Sequence, residues 1–349
     1  MKTAVVLAGG RGTRLWPLTE RIPKPMIPID ERPIMEFVVG ALRSSGIRRL
    51  LVVLQYNPGP IVEHFASGER FGLAIDYILQ DGDVGTAGGV RQALEFIGEE
   101  DFVVVPSDIL FHGDLLAGQA FHHEKKSDLT IALSIVDDPS EFGTVVRNPD
   151  GRIRDFHEKP PREGQGPVPV STGVYFLRRH ILDRVVPGAP MDFGRQLFPS
   201  LVLEGLQVYG WDLPGYWQDI GTFQRLSAAR RDAREIPALR NLVTRWPAER
   251  SGGGGRIWIR RERRTRAWEW LEVDVSTIGT AAGFLSNWLA ERRGGAATIS
   301  ELESLKELEA TEALAAAGWL EREGKVRFQE DGRTTRVFLL PVGTARAEH

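Results

Sequence analysis

The chain has 349 residues, 42% of them hydrophobic and 26% charged, with a net charge of −3. That length can bury a large core and usually divides into more than one domain, and the near-neutral balance offers no wholesale attraction to nucleic acid or anionic lipid. Cysteine is absent, which excludes disulfides, thiolate nucleophiles and Cys-ligated zinc and suits a cytoplasmic protein.

The apolar run at the N-terminus is too short for a signal-peptide core. No segment approaches the ~18 consecutive apolar residues of a membrane helix. Ala4 to Ala8 reads as a buried parallel strand that ends in glycines. Pro33 to Ser44 has helical spacing, with Gly46 just beyond its end. A strand at Leu50 to Leu54, a helix at Ile61 to Phe65 and a strand at Leu73 to Leu79 follow. Next come a helix at Ala87 to Phe96 and a strand at Phe102 to Val105 that runs into Pro106-Ser107-Asp108. This rhythm predicts an α/β domain with a mostly parallel sheet. From Leu129 the rhythm changes. Leu129 to Val136, Gly143 to Val146, Arg152 to Phe156 and Thr172 to Leu177 read as strands of an antiparallel lid. Asp192 to Leu203 and Gln224 to Glu235 read as closing helices. The adjacent His122 and His123, on a predicted helix, point to different faces and do not suggest a metal site.

Residues 237–275 read as a Gly/Arg-rich linker. Ser251 to Gly255 is glycine-rich, and Arg245 to Arg266 holds eight Arg against Glu249 and Glu262. Beyond it, helical spacing at Ala281 to Glu291, Ile299 to Leu305 and Glu309 to Glu323 precedes strands at Val326 to Gln329 and Thr335 to Leu340. That is the order of a winged helix-turn-helix, placed at 276–349. The unit before the linker is placed at 1–236.

The strongest local signal is Leu7-Ala8-Gly9-Gly10-Arg11-Gly12-Thr13-Arg14-Leu15, followed by Pro23-Lys24-Pro25. Glycines let backbone N–H groups approach a phosphate or a base, and Arg14 and Lys24 add positive charge. A plain turn with basic flanks is the alternative. The spacing is neither Gly-x-Gly-x-x-Gly nor Gly-x-x-x-x-Gly-Lys-Ser/Thr. Asp108, after an apolar strand, stands where ligands bind in open α/β sheets, although a helix N-cap would read the same way. For Asp219 the alternative is a structural turn.

The glycine run with Pro23-Lys24-Pro25 resembles the signature of sugar-1-phosphate nucleotidylyltransferases. Gly85-Thr86-Ala87-Gly88, Ser107-Asp108, Phe142-Gly143, Glu158-Lys159-Pro160, Ser171-Thr172-Gly173 and Tyr216-Trp217-Gln218-Asp219-Ile220-Gly221 continue the resemblance in order. It implies a Rossmann-like, mixed and mostly parallel sheet of the GT-A-like nucleotidyltransferase kind. It also implies direct attack of a sugar phosphate on the α-phosphate of a nucleoside triphosphate. Arg14, Lys24 and Asp108 would be catalytic. Leu7, Ala8, Gly9, Gly10, Gly12, Thr13, Gln80, Gly85 and Thr86 would bind the nucleotide. Gly143, Glu158, Lys159, Thr172 and Gly173 would bind the sugar phosphate, and Asp108 and Asp219 would hold Mg²⁺. Gln80 stands where many members carry Glu, and Ser171 where many carry Asn.

Glu141-Phe142-Gly143, Asp192-Phe193 and the Tyr216 to Gly221 ending look most similar to mannose-1-phosphate guanylyltransferases. GTP and mannose 1-phosphate are therefore the expected pair. Thymidylyl or uridylyl transfer to glucose 1-phosphate, or an inactive nucleotide-sugar-binding regulator, are the alternatives. Gly318-Trp319-Leu320-Glu321-Arg322-Glu323-Gly324-Lys325 resembles a small bacterial winged helix-turn-helix family. Its recognition segment is acidic. The expectation for this unit is a protein partner or self-association rather than DNA.

Overall fold

A computed structural model describes residues 1–20, 22–98, 100–160, 166–243, 256–262, 268–292 and 296–298. Within the last part it describes 301–302, 304–305, 308, 312–313, 316–317, 319–320, 323, 325–331 and 334–339. The main sheet is eleven-stranded. Along its path the order is Ile153–Glu158, Gly143–Arg147, Val168–Leu177, Phe102–Pro106, Thr3–Ala8, Arg49–Leu54, Ala74–Leu79, Arg256–Glu262 and Trp268–Asp274. Thr3–Ala8 pairs in parallel with Arg49–Leu54 and Phe102–Pro106, and Arg49–Leu54 pairs in parallel with Ala74–Leu79. Val168–Leu177 runs antiparallel to Phe102–Pro106 and to Leu129–Val136. Leu129–Val136 in turn pairs in parallel with Val208–Asp212.

The apolar run of each central strand is explained by burial on both faces. Ala4, Val6, Leu50, Val52, Val103 and Val105 enter one core. Val5, Leu51, Val53, Ile78 and Val104 enter the other. Alternate residues of a strand point to opposite faces, so a sheet covered on both sides needs continuous Val, Ile and Leu. Helix Ile34–Ser44 packs on the first core, and Gly40 lets helix Pro237–Val243 approach it. A Cβ on Gly40 would lie 2.4 Å from the Leu242 carbonyl oxygen.

Most expected elements are present with shifted ends. The helix expected at Ala87 to Phe96 is split into Gly85–Gln92 and Leu94–Ile97. The helix expected at Asp192 to Leu203 opens as a π-helical turn, Phe193–Leu197, before Phe198–Leu203. Pro199 has no N–H to give a regular first turn. The pair Ile109–His112 and Tyr216–Asp219 forms a separate two-stranded sheet. His122 and His123 lie on helix Leu115–Glu124, the first buried and the second exposed. Among the described residues no group of three or more His, Cys, Asp or Glu could hold a metal.

The stretch expected as a linker contains structure. Arg256–Glu262 adds in parallel to Ala74–Leu79, and Trp268–Asp274 pairs with it in turn. An unpaired edge strand leaves N–H and C=O groups unmatched, and a chain rich in Ile and Trp after a glycine run is suited to cover it. Arg256 also meets Asp76, a buried carboxylate already bonded to Arg49, with Nε at 3.0 Å. Residues 244–255 of the expected linker lie outside the described residues.

Helix Val275–Glu291 follows. Ala296–Thr298, Thr334–Leu339 and Val326–Asp331 form a three-stranded sheet. Its first strand was not expected. Of the expected acidic segment, Glu309, Gly318, Glu321 and Arg322 lie outside the described residues, as do Ile299 and Gly324. No helix among the described residues is long and apolar enough to cross a membrane.

Candidate active site

Parallel pairing brings four strand ends to one edge. Ala8, Leu54, Leu79 and Pro106 each run straight into a loop there. Thr3–Ala8 has neighbours on both sides, reached by chain connections that leave in opposite directions. This is the switch point at which open α/β sheets bind ligands.

Gly9, Gly10, Gly12 and Thr13 leave this edge as a loop, with Leu7 and Ala8 closing the strand beneath it. Gly12 has φ +63, and a Cβ there would lie 2.9 Å from Thr19, so only glycine fits without strain. Thr19 Oγ1 donates to the Gly12 carbonyl at 2.9 Å. Ser107 N donates to the Leu7 carbonyl at 3.0 Å, tying the Asp108 turn to the first strand. Gln80 follows the strand Ala74–Leu79. Its amide and that of Gln55 both donate to the Gly82 carbonyl, at 3.0 and 3.3 Å. Gly85 and Thr86 open helix Gly85–Gln92. The Thr86 hydroxyl is engaged by the protein itself: it donates to Asp192 Oδ1 at 3.1 Å and accepts from Phe193 N at 3.0 Å.

The charged centre is assembled by the two-stranded sheet. Asp219 pairs with Ile109, and Ile220 N donates to the Asp108 carbonyl at 3.1 Å. The two aspartates, 111 residues apart in sequence, thus share one corner. Lys24 Nζ bonds to Asp108 Oδ2. Arg225 NH1 donates to Asp219 Oδ1 at 2.8 Å and to Glu141 Oε2 at 2.7 Å. Glu141 also receives Arg14 NH1 at 2.8 Å. Burial raises the Asp219 carboxyl above its ordinary pKa and the Asp108 charge adds to this, against the opposing pull of Lys24 and Arg225. Glu141 is lowered: burial alone would raise it, but Arg14 and Arg225 outweigh burial.

A cleft opens beside this centre, lined by Asp108, Asp219, Glu158, Gly143, Thr172 and Gly173, among others. Glu158 pairs with Gly143 across the strands Ile153–Glu158 and Gly143–Arg147. Its carboxylate is so close to Gly143 and Gly194 that a Cβ on either would lie 3.0 or 2.2 Å away. Burial raises its pKa, with Lys159 and Arg195 opposing and Asp192 adding to the rise. Lys159 is exposed, in a left-handed backbone conformation at φ +48, with its N–H on the Phe142 carbonyl at 3.0 Å. Such strain in a non-glycine residue tends to gather at functional sites. Thr172 turns its hydroxyl to the Ala132 carbonyl at 2.8 Å and offers its own carbonyl to Trp217 Nε1 at 3.1 Å.

Arg14, Lys24, Asp108 and Asp219 therefore meet at one corner, with Gly143, Glu158, Thr172 and Gly173 on the adjoining wall. Gln80, Gly85 and Thr86 lie along the glycine-loop edge rather than in that wall. Sequence reading passed over Arg225, Gln55 and the bond of Asp192 to Thr86, and it quoted Glu141 only as part of a motif. Arg225 had one available signal, an arginine three residues after the N-cap Thr222, just past the Asp219 motif.

Residues 3–235 match the family model described as Nucleotidyl transferase, and residues 273–339 match the Winged helix-turn-helix domain (DUF2582). A UTP–glucose-1-phosphate uridylyltransferase of Synechocystis sp. is 37% identical over 231 residues. The match covers 62% of this chain and 60% of that protein, so the chain spans about three fifths of that relative's length. A mannose-1-phosphate guanylyltransferase of Mycobacterium tuberculosis is 34% identical over 245 residues, 68% of this chain and 67% of the relative. A solved structure, a putative glucose-1-phosphate thymidylyltransferase from Bacillus anthracis, superposes with a TM-score of 0.60 at 26% identity. It covers 67% of this chain and 96% of that one.

Proposed function

The chain belongs to the nucleotidyl transferase family, and from that premise we propose that it joins a nucleoside triphosphate to a sugar 1-phosphate and releases pyrophosphate. The observation that carries this reading is the corner where Lys24 meets Asp108 and Arg225 meets Asp219. It lies between a glycine loop and a cleft walled by Glu158 and Gly143.

The sugar phosphate oxygen attacks the α-phosphorus. A P–O bond forms there, and the bond to the α–β bridging oxygen breaks, its electron pair leaving on pyrophosphate. The attacking phosphate is already ionised, so no protein base is required. The protein's contribution is positioning and charge compensation. The loop N–H groups at Gly9, Gly10, Gly12 and Thr13, above Leu7 and Ala8, hold the nucleotide. Gln80, Gly85 and Thr86 border its base, with Thr86 acting through Asp192. Arg14 and Lys24 neutralise the phosphates and the leaving pyrophosphate. Lys159 grips the sugar phosphate, while Glu158, Gly143, Thr172 and Gly173 form the sugar wall. Asp108 and Asp219 would hold Mg²⁺: two carboxylates at one corner, where the Asp108 charge makes Asp219 costlier to ionise, together with substrate oxygens, make a suitable donor set. When bound, the ion supplies charge neutralisation between the two anionic reactants.

For the substrates we assign GTP and mannose 1-phosphate. Support comes from Glu141-Phe142-Gly143, Asp192-Phe193 and the Tyr216 to Gly221 ending, together with the Mycobacterium relative. The second reading, UTP with glucose 1-phosphate, is favoured by the Synechocystis relative. We place the chemistry in residues 1–236, and we assign the winged helix a protein partner or self-association. A pyrophosphate-release screen of the four NTPs and dTTP against several sugar 1-phosphates, with Mg²⁺ and with EDTA, tests the assignment. Turnover with GTP and mannose 1-phosphate is expected. Turnover only with UTP or dTTP would sink the guanylyl assignment. Ligand binding without any Mg²⁺-dependent turnover would make the chain a nucleotide-sugar-binding regulator.

A further inference from the structure

Glu141 sits among the residues of the charged corner, yet the reaction assigns it no work. One of its oxygens, Oε2, receives Arg14 NH1 at 2.8 Å and Arg225 NH1 at 2.7 Å. It therefore occupies one cation from the glycine-loop side and another from the helix that follows Asp219. The Arg14 side chain is 51% exposed and that of Glu141 is 36% exposed. Water reaches the pair, and exposed ion pairs of this kind are weak. A phosphate offers Arg14 more acceptor oxygens and more charge than a carboxylate does.

The chain next to Glu141 links this exchange to the sugar side. The Phe142 ring lies 4.7 Å from the Arg225 guanidinium carbon and packs edge-on against Trp217 at 5.4 Å. Trp217 Nε1 donates to the Thr172 carbonyl at 3.1 Å. The Phe142 carbonyl accepts the N–H of Lys159, whose backbone is held in a left-handed conformation. This one neighbour of Glu141 therefore touches Arg225, the Trp217 side of the cleft and the backbone of Lys159.

We propose that Glu141 is an internal stand-in for substrate phosphate, holding Arg14 until a nucleotide's phosphates displace it and thereby coupling nucleotide arrival to the sugar side of the cleft. In the absence of ligand it neutralises Arg14 and shares Arg225 with Asp219. When phosphate takes Arg14, Glu141 retains Arg225, and the freed end of the 141–143 segment adjusts around Lys159. The proposal rests on the nucleotide reading above.

The test uses inorganic tripolyphosphate with Mg²⁺, titrated calorimetrically into the full chain as wild type, Glu141→Gln, Arg14→Gln and the double variant. The wild type is expected to bind. Glu141→Gln should bind about three- to tenfold more tightly, as befits the release of a weak, exposed pair. That gain should fall below about twofold in the Arg14→Gln background, because the coupling runs through Arg14. A gain of equal size in both backgrounds would make Glu141 a general field effect and overturn the proposal. Equal or weaker binding by Glu141→Gln, at an unchanged melting temperature, would also overturn it. Absence of binding by every form would overturn the nucleotide reading and this proposal with it.

Discussion

Asp219 is held at an energetic cost that its neighbours offset only in part. Burial and the nearby Asp108 raise its carboxyl pKa, while Lys24 and Arg225 pull the other way without winning. A carboxyl that binds its proton more readily when folded makes stability fall as pH rises through the interval between its unfolded and folded values. In the metal-free chain, Asp219→Asn should therefore flatten this decline and leave the melting temperature at neutral pH no lower than wild type. The same variant should lose about 10²–10³-fold in turnover, because one of the two carboxylates proposed to hold Mg²⁺ is gone. Thermal melts in EDTA across pH, beside a pyrophosphate-release assay, measure both effects. A lower neutral-pH melting temperature with intact turnover would contradict the assignment. At this scale the sequence was informative where a residue type is rare in its setting, as with Asp108 after an apolar strand. It was uninformative for Arg225, whose partners Glu141 and Asp219 lie 84 and six residues away and meet it only in the folded chain.

Among the elements, the strand Val168–Leu177 does the most to shape the cleft. Its pairing with Leu129–Val136 shifts register between Ser171 and Tyr175, and the residues in the shift are Thr172, Gly173 and Val174. Bulges of this kind re-aim side chains beside active sites. Gly173 makes it possible: its φ is +85, and a Cβ there would lie 2.7 Å from Pro106 Cγ, at the end of the strand that leads to Asp108. Gly173→Ala should therefore cost about 2 kcal/mol through the left-handed backbone and the proline contact. On a chain of this size that is roughly 3 °C of melting temperature. It should also raise the KM for the sugar 1-phosphate more than that for the nucleotide, because the displaced wall is the one proposed to hold the sugar. Calorimetry and two-substrate kinetics check this, and an unchanged melting temperature would rule out the strain argument. The motif Ser171-Thr172-Gly173 was visible in the sequence, but its register shift was not. A period-2 pattern reports which residues alternate and says nothing of where a partner strand slips.

For the whole molecule, the notable arrangement is that the chain beyond residue 243 returns to extend the main sheet. Arg256–Glu262 covers the edge of Ala74–Leu79, and Arg256 joins Arg49 on the buried Asp76. The C-terminal part also touches helix Gly59–Phe65: a Cβ on Gly59 would lie 2.1 Å from Glu323 Oε1. A chain ending at residue 250 should therefore melt lower and aggregate, since it exposes a flat hydrophobic edge. In the full chain, Arg256→Ala should cost about 1–3 kcal/mol, because a buried carboxylate loses one of its partners. Thermal melts with light scattering measure this, and a truncated chain as stable and monodisperse as the full one would show the two units to be separable. The α/β rhythm, the glycine loop and the carboxylates of the expected site were legible in the chain alone, because local periodicity and rare residue combinations report locally determined structure. The wing was legible for the same reason. Folding alone revealed that Glu141 and Arg225 close the corner, that Asp192 takes the Thr86 hydroxyl, and that an arginine-rich stretch is partly a strand. Each of these depends on which distant segments pair, and pairing is settled by burial and by unmatched backbone groups across the whole sheet rather than by any short run of residues.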